Sequence, residues 1–600
     1  RTPNPVSMQD INDKSEQNGY YMNFSLDVDI IKNMLSAKVL YGLNKENTSR
    51  DSYIPSDIYY ALQRKSRGNL GYGKRQQSTL EGTLTFQHKF GELLDMNLMA
   101  GMGRYLDSGD GSDISYENAN DHIQGSSVGM ADGPFYPTSY KYKNEKRSQF
   151  VRGNFDLLGR YVVSASLRRD GTDKFFPSKK YALFPSVSLA WKMNEESFIK
   201  NISWINMLKL RASYGETGSD NLGTTLYGIV TTTREDVQFN NNSVTYIPYI
   251  LSGANYEDVT WQKTVMKNIG LDFSVLRDRI WGSVDVFRND VTHLLGTAPT
   301  ELLGMHGTRP INGGHYKRTG VDVSLNSLNL QTHDFKWTSQ ITMSHYNAVW
   351  IERMPNYDYQ KYQKRKNEPM NAFYYYKTTG IINVDKSNMP ESQRSLGPAA
   401  CMPGYPIVED KNGDGIIDVN DSYMDNMLPK LYFGFGNTFT WKNFDLDIFM
   451  YGQLGVKKWN DAYSYSADAG NLSRGVDAHN VGIYSYNIWN TQTNTNGRFP
   501  GIAISKSVAL PENLGFDYTR ENASYIRVRN ITLGYNLGPK ELSVFKGYIR
   551  GIRVFVDFQN PLTFTKYKGY DPEINTSSSN LTGGQYPQMR VYSIGAKLTF

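Results

Sequence analysis

Six hundred residues carry 65 Lys+Arg against 59 Asp+Glu, a net charge of +6, with 43 tyrosines, 53 glycines and a single cysteine. That balance excludes a strongly basic nucleic-acid binder, 13% aromatic content excludes an acidic disordered chain, and Cys401 alone excludes an intrachain disulfide or a cysteine-rich zinc site. A mean hydropathy of −0.54, with no apolar run near about 18 residues, excludes a helical membrane bundle.

The first ten residues, RTPNPVSMQD, lack the apolar core of a signal peptide. Strict alternation then begins. Tyr20, Met22, Phe24, Leu26 and Val28 oppose Tyr21, Asn23, Ser25 and Asp27. The pattern returns with Tyr161, Val163, Ala165 and Leu167, with Ile269, Leu271, Phe273 and Val275, and with Val321, Val323 and Leu325. It recurs with Phe444, Leu446, Ile448 and Met450, where Phe449 breaks the polar face, and closes with Tyr592, Ile594, Ala596, Leu598 and Phe600. Period two predicts strands with one apolar and one polar face. The apolar face is a core in a soluble sandwich and a lipid contact in a membrane barrel.

Connection lengths separate the two. Short gaps fall near Ile30–Asn33, Gly91–Leu93, Leu157–Arg160, Asn194–Asn206, Leu276–Arg279, Ser327–Phe335, Lys442–Asn443 and Leu537–Tyr548. Between them lie longer gaps near Asn44–Arg75, Tyr105–Arg147, Gly171–Lys180, Thr217–Thr260, Leu295–Asn312, Trp350–Leu428, Leu454–Asn522 and Asn560–Tyr586. Every long loop at one end is the habit of outer-membrane barrels. The fold class predicted is therefore all-β, a transmembrane antiparallel β-barrel of about 17 strands. Single-chain bacterial barrels have even strand numbers, so residues 1–600 are expected to be the C-terminal part of a longer barrel protein.

Several stretches resemble one family, the SusC/RagA-like TonB-dependent transporters of the Bacteroidetes outer membrane. They are Ser166–Phe175 (SLRRDGTDKF), Phe184–Phe198 (FPSVSLAWKMNEESF), Leu210–Asn221 (LRASYGETGSDN), Trp261–Gly270 (WQKTVMKNIG) and Asn312–Asp322 (NGGHYKRTGVD). Further along come Asp410–Asp418 (DKNGDGIID), Leu428–Gly436 (LPKLYFGFG), Ala523–Gly534 (ASYIRVRNITLG) and the terminal SIGAKLTF. The resemblance implies a barrel of about 22 strands closed by an N-terminal plug. It also implies the cell outer membrane of a Gram-negative bacterium, a SusD-like lipoprotein as lid and TonB as energy source. Plug, TonB-contacting segment and first strands are expected upstream of this chain.

One local motif carries chemistry of its own. Asp410, Asn412, Asp414, Asp418 and Asp421 place side-chain oxygens at positions 1, 3, 5, 9 and 12, with Gly415 at 6 and the Ile416 carbonyl at 7. That is the spacing of a calcium loop, and the expected role is structural, pinning a loop of about 80 residues. The alternative is an Asx/Gly turn that holds no ion. Position 12 is Asp rather than Glu, which makes bidentate ligation less secure. No organic cofactor is expected. Tyr357, Tyr359, Tyr362, Tyr374, Tyr375, Tyr376, Tyr463 and Tyr465 could stack on sugars, or simply pack within ordered loops. Neither H-E-x-x-H nor a phosphate-cradling P-loop occurs, which disfavours an enzyme.

The leading expectation is active import of an oligosaccharide. An oligopeptide is the alternative substrate. A surface adhesin or structural barrel, and a soluble multidomain carbohydrate-binding protein or hydrolase, are the alternatives of other classes. No nucleic-acid partner is expected; outer-membrane lipid is.

Overall fold

The computed structural model describes the chain except residues 1–5, 59–64, 120–127, 223–230, 233–248, 251–256, 300–307, 356–358, 365–366, 461–486, 502–509, 540, 546–547, 570 and 575–587. Seventeen strands form one antiparallel sheet in which each pairs with its neighbour in sequence. They are β1 (Asn12–Ile31), β2 (Leu35–Ile54), β3 (Arg67–Phe90), β4 (Leu94–Glu117), β5 (Phe135–Leu157), β6 (Tyr161–Thr172), β7 (Tyr181–Lys192) and β8 (Ile205–Ser219). The wall continues with β9 (Gln262–Val275), β10 (Ile280–Pro299), β11 (Thr308–Gln331), β12 (Phe335–Glu352), β13 (Leu431–Trp441) and β14 (Phe444–Leu454). It ends with β15 (Tyr525–Leu537), β16 (Gly551–Thr565) and β17 (Val591–Thr599). The expected strand number is met, and short and long connections alternate for most of the wall, but the β7–β8 and β15–β16 links, expected to be short, are longer than the β6–β7 and β10–β11 links opposite.

Two predicted loops are corrected. Asn44–Arg75 and Tyr105–Arg147 are mostly strand: β3 and β4 run 24 residues each and β5 runs 23. A tilted strand crosses a bilayer in about 9–11 residues, so the surplus carries the sheet well beyond it at the long-loop end. Polar composition hid these extensions. Cross-strand ion pairs support them instead, with Arg50 on Asp13, Arg75 on Asp107 and Arg104 on Glu145, each at 2.7–2.9 Å.

Register fixes the two faces. Leu210, Leu271, Val284, Val323 and Met343 form one cross-strand row. The neighbouring row on the other face is Arg211, Gly270, Asp285, Asp322 and Ser344. Arg211 reaches over Gly270 to both Asp272 (2.7 Å) and Asp285 (3.1 Å). A Cβ at Gly270 would lie 2.4 Å from Asp285 Oδ1, so only glycine lets the guanidinium cross there. Ile594, Leu598, Phe600 and Leu533 are exposed on the outward face. Thr532 and Ser344 donate inward to Asp557 and Asp322 (2.6 Å each). The apolar band is therefore the lipid face of an outer-membrane wall.

Phe449 has a physical explanation. A bulge shifts register between Phe449 and Met450 against β15, and the Phe449 ring turns inward over Gly434 and Gly436.

The connections β12–β13 and β14–β15 fold together as one unit. Ala372–Tyr376 pairs antiparallel with Tyr423–Asn426 and parallel with Gly515–Phe516. Thr378–Ile381 pairs with Pro406–Val408. Two small cores result, one around Tyr376, Val408, Ile417 and Leu510, the other around Ile382, Ala400, Tyr405 and Ile407; Leu396 and Phe516 pack on both.

Candidate binding site on the inner wall

Above the Asp/Ser rows, the inner face of β10–β14 becomes aromatic. Tyr346 and Tyr432 stack with ring centroids 5.6 Å apart and planes 2° from parallel. The Arg318 guanidinium lies 3.7 Å over Tyr346 and 5.7 Å from Phe287. Gly320 stands between these rings; a Cβ there would meet Phe287 at 2.6 Å and Tyr346 at 2.7 Å. Arg318 Nε is buried and has no hydrogen-bond partner among the described residues. The shelf thus offers flat apolar faces, phenol hydroxyls and an unmet charged donor.

Beside it a recess of about 640 Å³ opens toward β14, with a lining that includes Asp322, Ser324, Tyr432, Phe449, Tyr451 and Arg529. Arg529 lies 5.7 Å from the Tyr451 ring. The Tyr451 hydroxyl donates to Glu573 (2.7 Å), which also accepts from Arg527 (2.5 Å). Arg527 is 2% exposed, and its Nη2 donates to both carboxylate oxygens of Asp571 (2.8 and 2.9 Å). Lys458 donates to the carbonyls of Pro572 and Ile574. Its burial pushes the amine below the usual lysine range, with Asp571 and Glu573 opposing that shift. The segment after β16 is thereby tied to the inner wall beside the recess.

The acidic motif lies on the loop unit. Asp410 accepts from the N–H groups of Gly413 (2.7 Å) and Gly415 (2.9 Å), and Asp414 from Ile416 (2.8 Å). Asp418 accepts from Asn420 N–H (2.7 Å). Asn412 donates its amide to Asp414 (2.8 Å) while its oxygen takes Asp414 N–H (3.1 Å). Asp421 is fully buried and accepts from Lys411 N–H (2.9 Å) and Asp418 N–H (2.8 Å), pulling the ends of the loop together. Ile417, beside the exposed Ile416, enters the first small core. Among the described residues, no three His, Cys, Asp or Glu side chains are grouped as a metal site.

Most of the predicted aromatic contacts are packing. Tyr376 is completely buried, with its hydroxyl on the Asp418 carbonyl (3.0 Å). Tyr375 stacks on Phe373 and Tyr423. Its phenol is pushed up to about 12 by burial, and the neighbouring Asp425 adds to the shift. Tyr362 packs on Tyr374, and Arg353 lies 5.0 Å from the Tyr359 ring. Tyr357, Tyr463 and Tyr465 lie outside the described residues. Sequence reasoning missed Arg318, Tyr346 and Tyr432. Their signal was an aromatic or basic side chain at a polar-face position of an alternating strand.

Residues 1–560 match the family model described as TonB dependent receptor-like, beta-barrel. The chain is 26% identical to TonB-dependent receptor P3 of Formosa agariphila, over 98% of this chain and 58% of that protein. It is 28% identical to TonB-dependent receptor SusC of Bacteroides thetaiotaomicron, over 77% of this chain and 44% of that protein. The chain thus spans about half the length of these relatives. In fold it is similar to the RagAB peptide transporter, with a TM-score of 0.79 at 21% identity, covering 99% of this chain and 63% of that one.

Proposed function

The chain belongs to the TonB-dependent receptor-like β-barrel family, and from that premise we propose that it forms the wall of an outer-membrane importer for oligosaccharides. The observation that carries the substrate class is the Arg318–Tyr346–Tyr432 shelf. Parallel tyrosine faces suit the apolar faces of sugar rings, and the phenol and guanidinium groups suit their hydroxyls. The recess beside it takes a ligand larger than one sugar. Strands upstream of β1 complete the barrel in this reading, a plug there closes it, and TonB supplies the energy. A SusD-like lipoprotein docks as a lid on the loop unit, whose two connections fold against each other and so present one surface. Calcium held by Asp410, Asn412, Asp414, the Ile416 carbonyl, Asp418 and Asp421 stiffens that unit.

Oligopeptide import is the second reading. Arg318 and Arg529 suit a peptide carboxylate, and the RagAB protein of similar fold is a peptide transporter. Growth separates the two. Replacing Tyr346 and Tyr432 by alanine is expected to weaken uptake of the cognate glycan oligomer by about tenfold while sparing growth on its monomer. Loss of growth on peptides instead, with glycan uptake unchanged, selects the second reading. Shortening the connection between Leu454 and Asn522 should leave the wall folded and release the lipoprotein in a pull-down. Unchanged retention places the lid elsewhere.

A further inference from the structure

The outward face of β2–β5 changes character abruptly above the lipid band. On β2, Leu35, Ala37, Val39, Tyr41 and Leu43 face outward, and the next outward residue is Lys45. On β4 the outward face passes in one step from Met102, 65% exposed, to Arg104. Arg104 and Arg147 are cross-strand partners, and both hold Glu145, at 2.9 and 2.6 Å. That cluster keeps one surplus positive charge at the edge of the band.

Beyond the next outward row, which holds Leu106 and Glu145, two successive rows carry four more cations. Lys45, Gln76, Ser108 and Lys143 share one register row; Lys74, Asp110 and Lys141 share the next. All four lysines are exposed, and none forms a salt bridge among the described residues. Asp110 is the one acidic group lining the groove they border, whose volume is about 520 Å³ and whose floor is the small pair Ser108 and Gly109. Of the other carboxylates nearby, Glu145 is held by Arg104 and Arg147, and Asp107 points inward and is held by Arg75.

This patch shares its face with the lipid-contacting side chains and lies at the long-loop end, outside the cell. What it meets first is therefore the headgroup layer of the outer leaflet. The geometry points to a docking site for a phosphate-bearing glycolipid of that leaflet. Its phosphates lie among Lys45, Lys74, Lys141 and Lys143, and its acyl chains run down the apolar band below. Four unpaired ammonium groups around a shallow groove match a multiply charged headgroup, and each cation near such a surface adds about fivefold in affinity. The strand extension has a consequence here, because it holds the lysines at a fixed height on rigid backbone.

The test uses the intact protein in lipid nanodiscs, with co-retained glycolipid counted by native mass spectrometry. Phosphorylated glycolipid is expected to stay bound at least about tenfold better than its enzymatically dephosphorylated form. Replacing the four lysines by glutamine should remove that preference, and replacing them by arginine should restore it. Equal retention of the two lipids by the wild-type protein overturns the site, whatever the variants do. So does an undiminished preference in the glutamine variant, or displacement of the glycolipid by millimolar inorganic phosphate, which would mark a site for free anions.

Discussion

The barrel wall and the loop unit bury their apolar residues in opposite senses. On the wall, Ile594 is 80% exposed and Met102 65%, because lipid is their intended neighbour. In the loop unit, Tyr376, Ile382 and Ala400 are fully buried, and nothing but protein covers them. The wall is held by continuous ladders between sequence neighbours, each of which reads as a local hairpin. The loop unit is held by contacts across long sequence distances: Tyr375 with Gly515, Thr378 with Asp517, and Gly501 N–H with the Gly404 carbonyl. One region turns its apolar side chains outward to lipid, and the other turns them into two small cores shared between its two connections.

The sharpest break between them comes from removing a side chain inside the loop unit. Tyr376→Ala should cost that unit about 3–5 kcal/mol, through the cavity it leaves and the lost hydroxyl bond to Asp418. Hydrogen exchange should accelerate across Ala372–Tyr376 and Pro406–Val408 and stay slow in β9 and β10. Faster exchange in the wall as well would mean that the two regions are one cooperative body.

On the wall the rule inverts, and charge rather than cavity is costly. Leu533→Arg places a cation in the lipid face and should destabilise by about 2 kcal/mol, depending on depth. The adjacent Thr532→Arg points inward and should change stability by less than about 1 kcal/mol. Denaturant titration in liposomes distinguishes them. Equal losses would contradict the assignment of faces.

The same contrast explains how far the sequence could be read. Alternation is a two-residue rule, so β9, β11 and β17 were legible from nine residues or fewer. The outer halves of β3, β4 and β5 were not, because lysines, aspartates and glycines on both faces leave no alternation; cross-strand ion pairs hold them, and pairing is not a local property. In the loop unit the acidic motif was legible as a turn, while its burial of Asp421 and its anchoring through Ile417 depend on strands some 40 to 90 residues away. The inner-wall shelf was not legible: Arg318, Tyr346 and Tyr432 stand on three different strands, and nothing in the sequence announced that Arg318 would lie over Tyr346.

The acidic loop holds the loop unit by a smaller energy. Asp421→Ala should loosen the loop unit by about 1–3 kcal/mol, since it strands the N–H groups of Lys411 and Asp418 in a buried setting. Asp414→Ala should barely affect the loop's fold, yet should lower bound calcium in elemental analysis. Absence of calcium in the wild-type protein would reject the metal and leave the Asp421 effect in place.

The smallest expected effect is a titration. Asp425 sits at the junction of the two connections, accepting from Arg520 (2.8 Å) and Lys457 (3.2 Å). Burial opposes ionisation and pushes its pKa up, yet Lys457 and Arg520 together hold the carboxyl below the usual aspartate range. A carboxyl depressed in the folded state contributes stability that is fully present above its unfolded value, about 3.9, and is lost as pH falls through the folded value. Exchange protection of Tyr423–Asn426 should therefore be level from neutrality to about pH 4 and decline below it, by about 1 kcal/mol or less. Protonation would leave the Arg520 guanidinium, 5% exposed and 4.4 Å from the Phe373 ring, without its counter-charge. Asp425→Asn should remove that acid step and lower protection at neutral pH, with the two proteins converging in acid. An acid step of the same size in the Asn variant would assign it to another carboxylate of the loop unit.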